Sequence, residues 1–276
     1  MPTEVFAPAK INLTLHVTGR RADGYHLLDS LVVFADVGDL VRVALAPRMS
    51  LSVSGPTAAG VPMDAGNLCW QAAEAFGVSA AIDLEKTLPT AAGIGSGSSD
   101  AAAVLRGLAQ LTGRERDDAG AADPLALGAD VPVCLLGRAA RMRGIGEDVR
   151  PVALPALHAV LANPAVAVPT GQVFARLVTA DNPAMSDWPP PEDAAALIGW
   201  LAAQRNDLQP AAISTAPSIA RVLRALDALP GARLARMSGS GATCFALFDD
   251  AAAARSAAQA LAAANPRWWI KPCTLA

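Results

Sequence analysis

Three kinds of residue in this chain could do chemistry: a scarce lysine, an awkwardly placed aspartate and a run of glycines. Lysine stands only at Lys10, Lys86 and Lys271, while arginine is frequent. A chain with that bias keeps an ammonium where a compact point charge is needed, which draws attention to Lys10. Asp130 lies in Gly128-Ala129-Asp130-Val131-Pro132, between a helical stretch at 123–129 and the apolar run 131–136. A carboxylate between a helix end and a buried segment needs a partner; the competing reading is a turn-capping aspartate. The glycines are in Leu88-Pro89-Thr90-Ala91-Ala92-Gly93-Ile94-Gly95-Ser96-Gly97-Ser98-Ser99-Asp100, followed by the helix-like Ala101–Leu108. Glycine permits positive φ and close approach of a ligand. The first turn of a helix offers unpaired N–H groups at the positive end of its dipole. Strand, glycine-rich loop and helix start, with Ser98, Ser99 and Asp100 as candidate caps, make an anion site suited to phosphate.

The loop is neither of two common phosphate binders. A P-loop needs lysine after its last glycine, and no lysine lies between Lys86 and Lys271. A dinucleotide fingerprint would have Ser98 in place of its third glycine, and no second strand ends in an acidic residue about 20 residues on. A flexible glycine–serine connection is the plain alternative; the strand before and the alanine-rich helix after argue against it.

The elements that must position these residues follow from patterning. Lys10–Val17 alternates as a half-buried strand, with Ile11, Leu13, Leu15 and Val17 toward the core and Lys10, Asn12, Thr14 and His16 on the other face. Thr14 and His16 there suit solvent, whereas Lys10 and Asn12 are the site candidates. A turn at 19–24 leads to Tyr25, the only tyrosine, and His26, a pair able to stack on a flat ring and hydrogen-bond to it. Strands are expected at 31–34, 40–45, 51–53 and 80–84, with turns at 37–39 and 54–56. Helices are expected at 67–76, 98–111 and 123–129, and a hairpin at 138–152. The second half reads as strands at 157–161, 234–237, 243–248 and 269–273, with helices at 170–177, 193–205, 217–229 and 251–264. A proline-rich surface loop is expected at 185–192, and Ser238-Gly239-Ser240-Gly241 forms a second glycine loop.

Composition limits the partners. The chain has 276 residues, 53% of them hydrophobic, and a net charge of −3. It is long enough for one large domain or two small ones, and it carries no field that would gather nucleic acid or an anionic membrane. Cys69, Cys134, Cys244 and Cys273 are far apart, which suggests reduced, buried thiols in a cytosol. The opening residues have neither a basic nor an apolar leader region, and every apolar run is broken before about 18 residues, so neither a signal peptide nor a membrane span is expected. The expected location is cytoplasmic.

Taken together, Pro8-Ala9-Lys10-Ile11-Asn12-Leu13, Arg21–His26, Leu88–Ala102, Gly128–Pro132, Pro169-Thr170, Phe174, Asn206-Asp207-Leu208 and Met237–Ala242 resemble the GHMP kinases. The Pro-Ala-Lys-x-Asn-Leu and Asp-Gly-Tyr-His segments are similar to the branch that phosphorylates 4-diphosphocytidyl-2-C-methyl-D-erythritol, in the non-mevalonate isoprenoid pathway. The loop departs from its glycine-richest form at Ala91 and Ala92. The resemblance implies an α+β fold of two domains, an N-terminal ATP-binding α/β domain at 1–153 and a C-terminal ferredoxin-like α+β domain at 154–276. It implies transfer of the ATP γ-phosphoryl group to the 2-hydroxyl of the substrate, with Asp130 as base and Lys10 beside it. Pro89, Thr90, Ala91, Ala92, Gly93, Ile94, Gly95, Ser96, Gly97, Ser98 and Ser99 would hold the ATP phosphates, and Lys86 would contact adenosine. Tyr25 and Phe174 would sandwich the cytosine ring, and His26 would bond its edge. Asn12, Thr170 and Gly239 would lie close to the substrate.

ATP with Mg2+ is the expected cofactor, Asp100 and Asp130 being the carboxylates nearest the loop; the metal ligands themselves are left open. The partner is a small molecule with a cytidine diphosphate group, with no nucleic acid and no membrane, and the chain is a monomer or homodimer. Two rivals stand beside this: a sister kinase for mevalonate, homoserine or a sugar, which has no need of Tyr25 and His26, and a non-catalytic nucleotide-binding regulator.

Overall fold

The computed structural model describes residues 2–114, 123–187 and 193–276. The chain opens with β1 (Thr3–Asn12), β2 (His16–Arg20), β3 (His26–Leu45) and β4 (Ser50–Ser54). Next come α1 (Leu68–Phe76), β5 (Ala80–Glu85), α2 (Ser96–Thr112), α3 (Pro124–Leu127) and α4 (Val131–Leu136). Then follow β6 (Ala140–Gly144), β7 (Asp148–Pro151), β8 (Leu157–Asn163), α5 (Thr170–Ala175), α6 (Ala194–Ala202), α7 (Gln209–Thr215) and α8 (Ser218–Asp227). The last elements are β9 (Leu234–Met237), β10 (Cys244–Phe248), α9 (Ala251–Ala264) and β11 (Trp269–Leu275).

The chain forms two compact units. The first comprises Met1–Lys10, Val37–Thr90 and Gly95–Gly137. In it β4 runs parallel to β5, and β5 pairs antiparallel with the end of β3, Leu40 opposite Glu85 and Leu45 opposite Ala80. Val41, Val43, Ile82 and Leu84 on these strands pack with Cys69, Ala72, Ala73 and Phe76 of α1 and with Ala101, Ala103, Val104 and Leu108 of α2. Small residues bring α2 close to the sheet: a methyl on Gly107 would stand 2.4 Å from Val43 Cγ1.

The second unit comprises Ile11–Asp36, Ala91–Ile94 and Arg138–Ala276. Here β9, β10, β8 and β11 pair antiparallel in that order. Every residue of β10 is buried, because helices pack on it. Ile219, Val222 and Leu226 of α8, and Ala254, Ala257, Ala258 and Leu261 of α9, recur at helical spacing and join Val160, Ala246 and Phe248 in one core. The start of β3 pairs with β2 and β6, and β6 with β7, as the expected hairpin.

Several expectations need correction. Lys10–Val17 is two strands interrupted at 13–15, not one. Its second face does not meet water, since Lys10, Asn12, Thr14 and His16 are all buried. Residues 183–185 cover part of that face. The Met185 thioether accepts from Thr14 Oγ1, the Pro183 carbonyl lies 3.4 Å from His16 Nδ1, and the Met185 amide donates to Asp29. Within the expected surface loop at 185–192, Met185 is therefore buried, while 188–192 lie outside the described residues. Ser98, Ser99 and Asp100 are inside α2, whose cap is Gly95. The segment 131–136 is a helix, so Asp130 sits at a helix start and not at a helix end. Helix α7 was not expected.

The turn expected at 37–39 is absent, because β3 is continuous through it. Gly38 is there for proximity, not for turning: a methyl on it would stand 2.3 Å from the Ala7 carbonyl oxygen and 2.7 Å from Phe6 Cζ. Gly38→Ala should therefore destabilise the protein by about 1–3 kcal/mol, as overpacking does, measured by urea unfolding. A glycine serving only a flexible turn would show almost no change.

Candidate active site

Helix α2 begins without a side-chain cap. Gly95, at its N-cap, has φ +59 and offers no oxygen to the first turn. The Ser96 hydroxyl turns back to the Pro89 carbonyl at 3.4 Å. The Ser99 hydroxyl is buried with no partner among the described residues. The first-turn N–H groups are thus left without a competing side chain, the state in which a helix start takes an anion.

Lys10 and Asp130 meet beside this helix start. The Lys10 ammonium lies 2.9 Å from Asp130 Oδ2. The lysine is buried, and the aspartate side chain is 30% exposed, so the pair has one open side. Gly95 leaves room for the lysine side chain. A methyl there would stand 3.0 Å from Lys10 Cε and 3.5 Å from Asp130 Oδ2. Asp130 caps α4 by position but makes no side-chain capping bond. Its charge is held by the lysine, the partner that the sequence required.

Lys86 is placed differently from the other loop residues. It is 1% exposed, and its ammonium is enclosed by two carboxylates, bonded to Asp39 Oδ2 and, at 2.7 Å, to Asp100 Oδ2. Burial alone would lower its pKa, but Asp100 and Asp39 outweigh burial and raise it. Burial pushes the Asp100 carboxyl up to about 7, although Lys86 opposes the rise. With its ammonium committed inward, Lys86 is a buried anchor. Asp100 is committed in the same way, and of the two carboxylates considered for a metal only Asp130 keeps an open side. Among the described residues no group of three or more His, Cys, Asp or Glu could hold a metal ion. Magnesium takes only one or two carboxylates from protein when phosphates and waters supply the rest, so Asp130 fits such a role.

In the second unit, residues 91–94 meet the second glycine loop. Gly93 has φ +73, and a methyl on it would stand 2.4 Å from the Ser238 carbonyl oxygen; a methyl on Gly239 would stand 2.6 Å from the Gly93 carbonyl oxygen. The two backbones approach because neither has a side chain there. Ser238 Oγ donates to the Gly93 carbonyl and accepts from the Asn12 amide. The Ala92 carbonyl accepts from Thr243 N–H, and the Ala91 carbonyl from Val168 N–H. Ala91 itself has φ +49, the one loop position where alanine replaces glycine at a cost in backbone strain. Asn206 fastens the second loop by donating to the Met237 and Gly239 carbonyls. Arg236, buried and in no ion pair with a carboxylate among the described residues, donates to the Leu13, Leu201 and Gln204 carbonyls. Burial lowers its pKa to about 10.

The expected ring-binding residues form a partial set. His26 stacks on Phe174 with centroids 4.8 Å apart and planes 23° apart. Burial, with Arg20 adding to it, lowers the His26 pKa, which favours the neutral imidazole. Tyr25 is 60% exposed and outside that stack. Thr170 Oγ1 lies 2.9 Å from Ser240 Oγ, and Asn12 Nδ2 donates to Ser30 Oγ. Asp39, Ser238 and Arg236 were not singled out from sequence. Asp39 was hidden by a Val-Gly-Asp that looks like a turn.

Comparison with known proteins follows the same lines. A family model for the N-terminal domain of GHMP kinases matches residues 67–138, and one for the C-terminal domain matches 187–267. A 4-diphosphocytidyl-2-C-methyl-D-erythritol kinase of Cereibacter sphaeroides is 56% identical over 281 residues, covering 99% of each chain. A crystal structure of 4-(cytidine 5'-diphospho)-2C-methyl-D-erythritol kinase superposes with a TM-score of 0.78 at 36% identity, covering 99% of each chain. A homoserine kinase from Cytophaga hutchinsonii, with a TM-score of 0.70 at 22% identity, covers 100% of this chain and 94% of its own, and shares the fold. The chain belongs to the GHMP kinases and, within them, to the family of 4-diphosphocytidyl-2-C-methyl-D-erythritol kinases.

Proposed function

We propose that the protein transfers the γ-phosphoryl group of ATP to the 2-hydroxyl of 4-diphosphocytidyl-2-C-methyl-D-erythritol, giving the 2-phosphate and ADP. The observation that carries the reading is the Lys10–Asp130 ion pair lying against Gly95 at the uncapped start of α2. Phosphoryl transfer is mostly positioning and charge stabilisation, so few reactive side chains are needed. The N–H groups at the helix start hold phosphate oxygens. Asp130 accepts the proton of the attacking hydroxyl, and Lys10 steadies the charge that develops on its oxygen. Magnesium, when bound with ATP, would neutralise phosphate charge, and of Asp100 and Asp130 it is Asp130, with its open side, that would hold it.

The choice of acceptor rests on the second unit and on the family. The homoserine kinase fold is the same, so fold does not select the acceptor. Tyr25, His26 and Phe174 supply aromatic faces for a nucleobase, and a neutral His26 can both donate and accept at a base edge. Asn12, Thr170 and Gly239 complete the substrate side of this reading, and the residues from Pro89 to Ser99 its ATP side. Among the described residues no helix is long and apolar enough to cross a membrane; a cytoplasmic site of action fits the substrate.

Asp130→Ala should lower kcat by about 10²–10⁴-fold, the usual loss for a general base, while ATP still binds. Turnover of labelled ATP is the measurement, and near-normal turnover would remove Asp130 from the role. Tyr25→Ala and Phe174→Ala should each weaken the cytidyl substrate by roughly 1–3 kcal/mol, the worth of one stacking face. Calorimetric titration should find ATP affinity unchanged in both, and an equal loss for the two ligands would contradict recognition of the base by these rings.

A further inference from the structure

The buried ammonium of Lys86 joins two segments of chain that lead into and out of the phosphate loop. Residues 86–88 form the incoming arm, and Asp100, in α2, belongs to the outgoing one. Asp39 Oδ1 accepts the N–H groups of both Thr87, at 2.6 Å, and Leu88, at 2.8 Å. Its Oδ2 takes the Lys86 ammonium, whose other carboxylate partner is Asp100 Oδ2. Thr87 Oγ1 adds a bond to the Gly38 carbonyl at 2.6 Å, and the Leu88 carbonyl accepts from Thr57 Oγ1. Asp39 is fully buried and sits in β3, a strand that is not part of the loop. The entrance of the glycine loop is thus held to β3 by polar bonds as well as by packing.

We propose that Asp39 is the positioning residue of the phosphate loop: it fixes the incoming arm through two backbone N–H groups and, by way of Lys86, sets that arm against the start of α2. This rests on reading the start of α2 as the triphosphate site. The two aspartates of the cluster do different work. Both oxygens of Asp39 accept, so an amide in its place would turn an N–H toward either the ammonium or the loop backbone. Asp100 uses only Oδ2, and its Oδ1 is buried with no partner among the described residues. An amide at Asp100 keeps the bond from Lys86. The groups facing the cluster are Asp39 from β3, Lys86 just after β5, Asp100 from α2 and the Cys69 thiol from α1, itself pushed well up by burial.

The test is a comparison of two acid-to-amide substitutions of equal size. Asp39→Asn, folded by its circular dichroism and melting curve, should raise the ATP Kd and KM at least tenfold and leave the cytidyl acceptor KM within twofold. Asp100→Asn should leave the ATP Kd within twofold. Asp100 carries a carboxyl pKa raised from 3.8 to about 7, so its contribution to stability is full below pH 4 and is lost as pH rises through 7. Asp100→Asn should accordingly melt higher relative to wild type at pH 8 than at pH 6.

A folded Asp39→Asn with unchanged ATP affinity, or with both ligands weakened alike, overturns the proposal. If Asp39→Asn does not fold, Thr87→Val removes one bond from the same arm without touching the buried charge. It should raise the ATP Kd severalfold with acceptor KM unchanged, and no change would count against the proposal. ATP binding read by calorimetry separates this from the assigned reaction. A wild-type chain that binds ATP but does not phosphorylate the cytidyl acceptor would refute the function and leave the Asp39 comparison decisive.

Discussion

A single close approach governs the first unit: the Lys10 side chain, paired with the Asp130 carboxylate, lies against the backbone of Gly95, where a methyl would crowd the lysine. Glycine there meets two conditions at once. It adopts positive φ at a helix start, and it contributes no side-chain oxygen to that start. A serine or aspartate cap would satisfy the first-turn N–H groups and compete with an incoming phosphate. The helix therefore forgoes capping, worth about 1 kcal/mol, and keeps its donors available. The lysine and aspartate then need no long reach, because the α2 start, the ammonium and the carboxylate are already assembled.

The buried charges around Lys86 show what holds that arrangement. One ammonium between two carboxylates carries a net negative charge, in surroundings where an unpaired ion is costly. Burial raises the Asp100 pKa to about 7, which eases that excess by letting a proton return near neutral pH. Such a cluster is a poor device for stability alone, since apolar residues of the same size serve as well or better. Its use is directional. Ionic hydrogen bonds fix where the loop arms run, which apolar packing would leave looser.

The second unit solves a different problem with similar means. Two glycine-bearing loops meet backbone to backbone at Gly93 and Gly239, and Ser238 fills the remaining gap with hydrogen bonds to Gly93 and Asn12. Asn206 anchors the second loop by donating to its carbonyls, and Arg236 donates to the Leu13, Leu201 and Gln204 carbonyls. The same unit carries the stacked His26 and Phe174 and the exposed Tyr25.

Much of this was legible in the residues themselves. Strand–loop–helix order at 80–112, the apolar spacing of α8 and α9, and the candidacy of Lys10 and Asp130 are local patterns, set by periodicity, glycine and a scarce ammonium. What the linear pattern could not carry is the reason for a glycine or the burial of a polar face. Gly38 reads as a turn until Ala7 is found 2.3 Å from where its side chain would be. Thr14 and His16 read as solvated until Pro183 and Met185 cover them. Lys86 reads as a ligand contact until Asp39 and Asp100, each distant in sequence, surround it. Alternation, caps and turn residues are decided by neighbours along the chain, so sequence alone determined the elements and the candidate chemistry. Which charges are paired and which faces are dry depends on segments far apart in the chain, and only the tertiary structure decided those.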